Sequence, residues 1–196
     1  RDQLNGGERR VDAFVAGLCA CALDGLLDGV GREHAERHRR PRRQRDLRDA
    51  LGDVDDEGNW TPRKPDPNRI KTVTEPHERG SLLVAAVFHA FVSIYKSRTA
   101  PLFRIATNGT GVLQAGALHP DLVDRLASEA AKSAQHVLTM CIRALDYCPP
   151  VDLTFGDYLR ALFTADYDLV RDDDLGYRIA VVEAFRQYGI YPLDVR

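Results

Sequence analysis

From residue 81 to residue 95 the chain reads SLLVAAVFHAFVSIY, and on a helix Leu82, Val84, Ala85, Val87, Phe88, Phe91, Val92 and Tyr95 leave almost no polar arc. A helix apolar nearly all round has to be buried on most sides, so this stretch commits the chain to a helical core. The sequence after it keeps the same period. Pro120 suits a first helical turn; Leu122, Val123, Leu126, Ala130, Ala134, Val137, Leu138, Cys141 and Leu145 follow at steps of three and four, opposite a wet face of Arg125, Ser128, Lys132, Gln135, Thr139 and Arg143. Cys148-Pro149-Pro150 ends that helix. Thr154 with Asp157 three residues on has the form of a capping box, opening a third helix through Tyr158, Leu159, Leu162 and Phe163. Residues 177–188 make a fourth, with Ile179, Val182 and Phe185 inward and Gly189 as its left-handed stop. RDDDLG between them is a polar loop, and only LFRIAT tolerates an extended conformation. Asp172, Asp173 and Asp174 of RDDDLG lack the ligand spacing of a calcium loop and read as solvated. The expected fold class is mainly α, an antiparallel helical bundle over residues 74–196.

Residues 1–73 have a different character and are expected to form a poorly ordered N-terminal third: one helix, then a charged and proline-rich linker. Phe14, Leu18, Cys21, Ala22 and Leu26 recur at helical spacing. REHAERHRRPRRQRDLR then holds eight arginines against three acids, and TPRKPDPNR places three prolines within seven residues, which denies a helix or a central strand. The basic run suggests phosphate binding. It lacks interleaved aromatic residues, however, and five acids follow within nine residues from Asp49 to Glu57, which argues against nucleic acid as a partner. His34 and His38 flank Glu36, but a hydrolytic zinc helix needs the glutamate directly after the first histidine, so no metal site is expected there.

Composition narrows the remaining classes. A chain of 196 residues with 44% hydrophobic residues can bury a core, and a net charge of −2 gives no global attraction to polyanions. No uninterrupted apolar run reaches the roughly 18–20 residues of a membrane span, and RDQLNGGERR does not have a signal-peptide layout. The expectation is a cytoplasmic protein with no membrane partner. Cys19, Cys21, Cys141 and Cys148 match neither a zinc ribbon nor a redox pair and read as reduced structural thiols.

One set of phrases is more specific. Arg143-Ala144-Leu145 at a helix end, then Thr154-Phe155 opening the next helix, then Ala184-Phe185 before Gly189-Ile190, resemble in order and spacing the C-terminal helical domain of thermolysin-like (gluzincin) zinc metallopeptidases. The resemblance covers residues 75–192. In that family a histidine ahead of a serine and glycine leads into a buried helix and hydrogen-bonds the developing oxyanion; here His77 precedes Gly80-Ser81, with glycine and serine in reversed order. The resemblance implies that His77 is the catalytic hydrogen-bond donor and that Glu75 holds its tautomer and orientation. Read without it, Glu75 and Ser81 satisfy helix-start amides and His77 is a surface residue beside a proline turn.

Departures from the family pattern set the functional expectation. Residues 1–74 contain neither His-Glu-x-x-His nor the following glutamate ligand, and a catalytic zinc needs three protein ligands and an open position. No cofactor is therefore expected in this chain, with zinc expected only in a complete homologue. The leading expectation is the C-terminal lobe of a bacterial zinc metallopeptidase-like protein, inactive alone, forming one cleft wall. Its partner would be a peptide or protein substrate once a metal-binding half is present. The alternative is a non-catalytic helical interaction module. The start at Arg1 and the Arg/Gly/Asp bias of the first third lead to the expectation that the chain is a fragment or has a disturbed early reading frame. His89, His119 and His136 are assigned to core and helix-start roles.

Overall fold

The computed structural model describes residues 52–54, 60–113 and 118–193, with side chains described from residue 63 onward. The helix of residues 14–26, the arginine run, the pair of His34 and His38, and Cys19 and Cys21 lie outside the described residues. Among those described, the protein is mainly helical. Strands β1 (Gly52–Val54) and β2 (Trp60–Pro62) pair antiparallel, Gly52 opposite Pro62 and Val54 opposite Trp60. Helices follow as α1 (Arg69–Thr72), α2 (Pro76–Ala106), α3 (Pro120–Ala144) with a 3₁₀ turn over Leu145–Tyr147, α4 (Phe155–Leu169) and α5 (Tyr177–Gln187). The described residues divide into two compact units, one of residues 52–94 with 136–193 and the other of residues 95–135.

The first unit carries the main core. Leu82, Ala85, Ala86 and Ala90 of α2, Met140 and Ala144 of α3, Leu159, Ala161 and Leu162 of α4, and Val181, Ala184 and Phe185 of α5 pack together with Val73, Tyr188 and Ile190. Leucine, alanine and phenylalanine at helical spacing are what a bundle of close helices requires: bulky groups fill the interior, and small ones let the helices approach. α4 starts as its sequence dictates. Thr154 Oγ1 accepts from the Asp157 amide at 3.1 Å, and the Thr154 amide donates to Asp157 Oδ2 at 3.2 Å, completing the capping box.

The linker is more structured than its prolines suggest. Pro62 closes a short strand from its end, where a missing N–H costs nothing. The Asn68 amide then donates to Asp66 Oδ1 at 2.9 Å, turning the chain into α1. Arg79 fastens α1 to α2 by donating to the Ile70 and Val73 carbonyls at 3.1 and 2.9 Å. At the far side of this turn the Pro67 carbonyl occupies the place a side chain would take on Gly189, whose φ of 72° is left-handed. Glycine there both stops α5 and lets the linker close against it.

In the second unit, Tyr95, Thr99, Leu126, Ala130, Ser133 and Ala134 are buried. Arg98 Nε donates to Glu129 Oε2 at 2.7 Å and Lys132 pairs with Glu129 at 3.0 Å. LFRIAT is helical here, not extended. α2 runs on through Pro101 to Ala106, and the Thr107 hydroxyl donates to the Phe103 carbonyl at 2.7 Å as the helix ends. Its β-compatible residues yield to the helix they continue, as strand propensity commonly does to context.

Two further expectations change. By length and composition α2 is apolar enough to cross a membrane, a test that a buried core helix also passes; Ser81, His89 and Ser93 lie within its apolar stretch. Only 39% of its most apolar stretch is buried, so a helix buried on most sides is realised only in part. In α5 the buried face is Tyr177, Val181, Ala184, Phe185 and Tyr188, whereas Ile179 and Val182 are exposed at 73% and 43%. Phe163 of α4 is likewise exposed.

Candidate functional site

The first turn of α2 builds the pair that the sequence singles out. Pro76 occupies the first helical position, leaving Glu75 as the residue whose side chain reaches the orphan amides. Glu75 Oε2 accepts from the Glu78 amide at 2.6 Å, while Oε1 lies 2.7 Å from His77 Nδ1. The His77 contact comes first among the causes that hold the Glu75 carboxyl below its ordinary range, ahead of the backbone amides. Glu75 therefore stays anionic at neutral pH and fixes one side of the imidazole. With Nδ1–H given to Glu75, Nε2 of the neutral ring is an acceptor; in the imidazolium form it is a second donor. The ring is 97% exposed and Glu75 53%. Capping alone accounts for Glu75. Ser81 donates to the Glu78 carbonyl at 2.7 Å and so serves the same turn.

Two cavities lie in the same unit. The larger, about 240 Å³, is lined by Arg63, Lys64, Asp66, Arg69, Ser81, Leu82, Ala85 and Tyr188. The smaller, about 10 Å³, lies among Val87, Ala90, Met140, Leu162, Val181 and Phe185, at the lower limit for one water. His77 lines neither. It stands one turn before Ser81 and two before Ala85, on the helix face that meets the larger cleft.

His136, expected to have only a core role, is joined to a buried network. His136 Nε2 lies 2.8 Å from Asp166 Oδ1, and its ring stacks at 4.1 Å on Tyr177. Asp166 Oδ2 accepts from Arg178 at 3.0 Å; Arg178 also donates to the Val170 and Arg171 carbonyls and lies over the Phe163 and Tyr167 rings. Asp173, read as a solvated loop acid, accepts the Tyr177 and Arg178 amides at 2.7 and 2.9 Å and so caps α5. Phe163, though exposed, carries the guanidinium against one face of its ring. The signal in the sequence was an arginine in the buried phase of a helix, three residues before Val181.

His89 meets Tyr188 edge-on, and His119 Nδ1 accepts the Asp121 amide at 3.2 Å at the start of α3. Cys141 and Cys148 are free thiols; burial pushes the Cys141 thiol up. Among the described residues no three of His, Cys, Asp and Glu are grouped to hold a metal ion, so these residues do not fit the zinc of a thermolysin-like site.

Comparison with known protein families, with curated proteins and with solved structures finds no match to this chain. The thermolysin-like resemblance therefore rests on the sequence phrases alone.

Proposed function

We propose that this chain is a helical lobe that completes a larger hydrolytic assembly, in the manner of the C-terminal domain of a zinc metallopeptidase, and does not act as a catalyst by itself. The observation that carries the reading is the contact between Glu75 and His77: a carboxylate holds Nδ1 at the start of a long helix and leaves the rest of the ring exposed. Donation from Nε2 to a developing oxyanion requires the ring in its imidazolium form, in which Glu75 holds one N–H and the other is directed at the oxyanion. The reading is also supported by where the family-like phrases fall. Ala144 ends α3, Thr154 and Phe155 open α4, Ala184 and Phe185 are buried, and Gly189 takes the left-handed stop.

Because the described residues offer no ligand set for the metal, the lobe's own part is to form one wall and to donate from His77. A metal-binding half has to come from another segment or chain. Alone, the protein is expected to leave peptides intact. Combined with a half bearing His-Glu-x-x-His and zinc, it should support hydrolysis that His77→Ala lowers by about 10² in kcat. KM should stay nearly unchanged, since the donor acts in the transition state. An unchanged kcat in that variant overturns the assignment.

A second reading, a non-catalytic interaction module, is favoured by the exposed Phe163, Tyr167, Leu169, Val170 and Leu175 where α4 gives way to α5. It predicts metal-independent capture of a partner protein that charged substitutions at Leu169 and Leu175 abolish.

A further inference from the structure

The cleft beside α1 has a chemistry that neither reading uses. Its floor is apolar, formed by Leu82 and Ala85 of α2 and the ring of Tyr188. Among the described residues its rim is cationic: Arg63, Lys64 and Arg69 line it against one acid, Asp66. Asp66 is already engaged by the Asn68 amide, and Arg69 shares its guanidinium with Glu78 at 2.8 Å. Arg63 has an interaction of its own, whereas Lys64 is exposed and forms no ion pair with a described residue. Burial pushes the Tyr188 phenol up while Arg63 pulls the other way, so the phenol stays neutral and its ring belongs to the floor. At about 240 Å³ the space falls below the ~300–1,000 Å³ typical of drug-sized ligands, which limits the guest to a head group and one short side chain.

We propose that this cleft binds a small carboxylate carried on a short apolar chain. The carboxylate sits at the rim among Lys64, Arg63 and Arg69, and the chain lies on Leu82, Ala85 and Tyr188. The basis is complementarity at both ends: cations at the mouth for the charge, and a floor without a charged side chain for the hydrocarbon. The guest's chemistry is shared by two sources, the C-terminal residue of a peptide and a free short-chain acid. The proposal is independent of zinc and of any role for His77.

The test is a metal-free titration of the full chain followed by NMR on the Leu82, Ala85 and Tyr188 signals. Probes are N-acetyl-leucine, its C-terminal amide and hexanoate. The expected result is saturable shifts with a carboxylate, none with the amide, and an affinity that falls about fivefold or more in Lys64→Glu. Lys64 is exposed, so circular dichroism of the variant should be unchanged. Tighter binding of N-acetyl-leucine than of hexanoate assigns the site to peptide C-termini; the reverse assigns it to free acids. No saturation by about 10 mM of either acid, equal binding of the amide, or unchanged affinity in Lys64→Glu overturns the proposal. Because no hydrolysis is measured, its failure leaves the His77 reading untouched, and the reverse also holds.

Discussion

Arg178 Nη1 donates to Asp166 Oδ2 at 3.0 Å with both side chains almost wholly out of water, at 8% and 2% exposure, and so joins α5 to α4 by a buried ion pair. Such a pair is strongly destabilising to break from one side, because the remaining charge is left buried and unpaired. Asp166→Ala should therefore cost about 3–5 kcal/mol in urea unfolding. Replacing both partners by apolar residues should cost less than the two single changes summed. A double replacement that equals the sum shows that the pair does not act as a unit.

Glycines separate two kinds of constraint. Gly109 has φ 79° with no atom near a prospective Cβ; Gly156 has an ordinary φ but the Tyr191 carbonyl in that place; Gly189 has φ 72° and the Pro67 carbonyl. Gly109→Ala should cost only the left-handed penalty of about 1–2 kcal/mol. Gly156→Ala should cost backbone displacement alone, and Gly189→Ala should be the most damaging of the three. Thermal unfolding of the three variants gives the order directly.

Glu75 makes a signed prediction about pH. Its carboxyl is held below the ordinary range chiefly by His77, so its contribution to stability is fully present above the ordinary carboxylate pKa and is lost as pH falls through the lowered value. His77→Ala should move the Glu75 carboxyl up towards its ordinary value in an NMR titration. Part of the depression should survive, because the Glu78 amide still donates to it. A Glu75 titration identical in both proteins means the contact does not form in solution.

The cap of α4 is a local test. Thr154→Ala removes the acceptor of the Asp157 amide and should cost about 0.5–2 kcal/mol, with Thr154→Ser close to neutral. Equal losses in both variants would point to packing of the threonine methyl instead of capping.

Much of this fold could be read from the sequence where one local interaction decides the outcome. The proline at the start of α3, the threonine and aspartate at the start of α4 and the glycine after α5 each act within one turn, and the structure places them as expected. What could not be read depends on partners distant in sequence. Asp166 and His136 are 30 residues apart, and nothing local distinguishes a buried network histidine from a surface one. The cleft is equally hidden, since its lining joins the linker to Tyr188 more than 120 residues later. Glu75 and His77 lie within three residues, so the geometry of their contact could be anticipated, but its surroundings could not.

The buried face of α5 shows how a period can be misjudged and supplies the last test. Ile179, Val182 and Phe185 advance by three residues each time, a spacing that slips about 60° per step around an α-helix, so they cannot share one narrow face. Tyr177, Val181, Ala184 and Tyr188 advance by four, three and four and average close to 3.6, and these are the residues the structure buries. Phe185 adjoins both sets, which is why it is inward in either phase. Phe185→Ala should then cost about 3–5 kcal/mol and Val181→Ala about 2 kcal/mol, while Ile179→Ala and Val182→Ala stay within about 0.5 kcal/mol of the parent. Denaturant midpoints decide between the phases: a loss at Ile179 as large as that at Val181 would mean that α5 is rotated, or that its outer face is covered by something the chain binds.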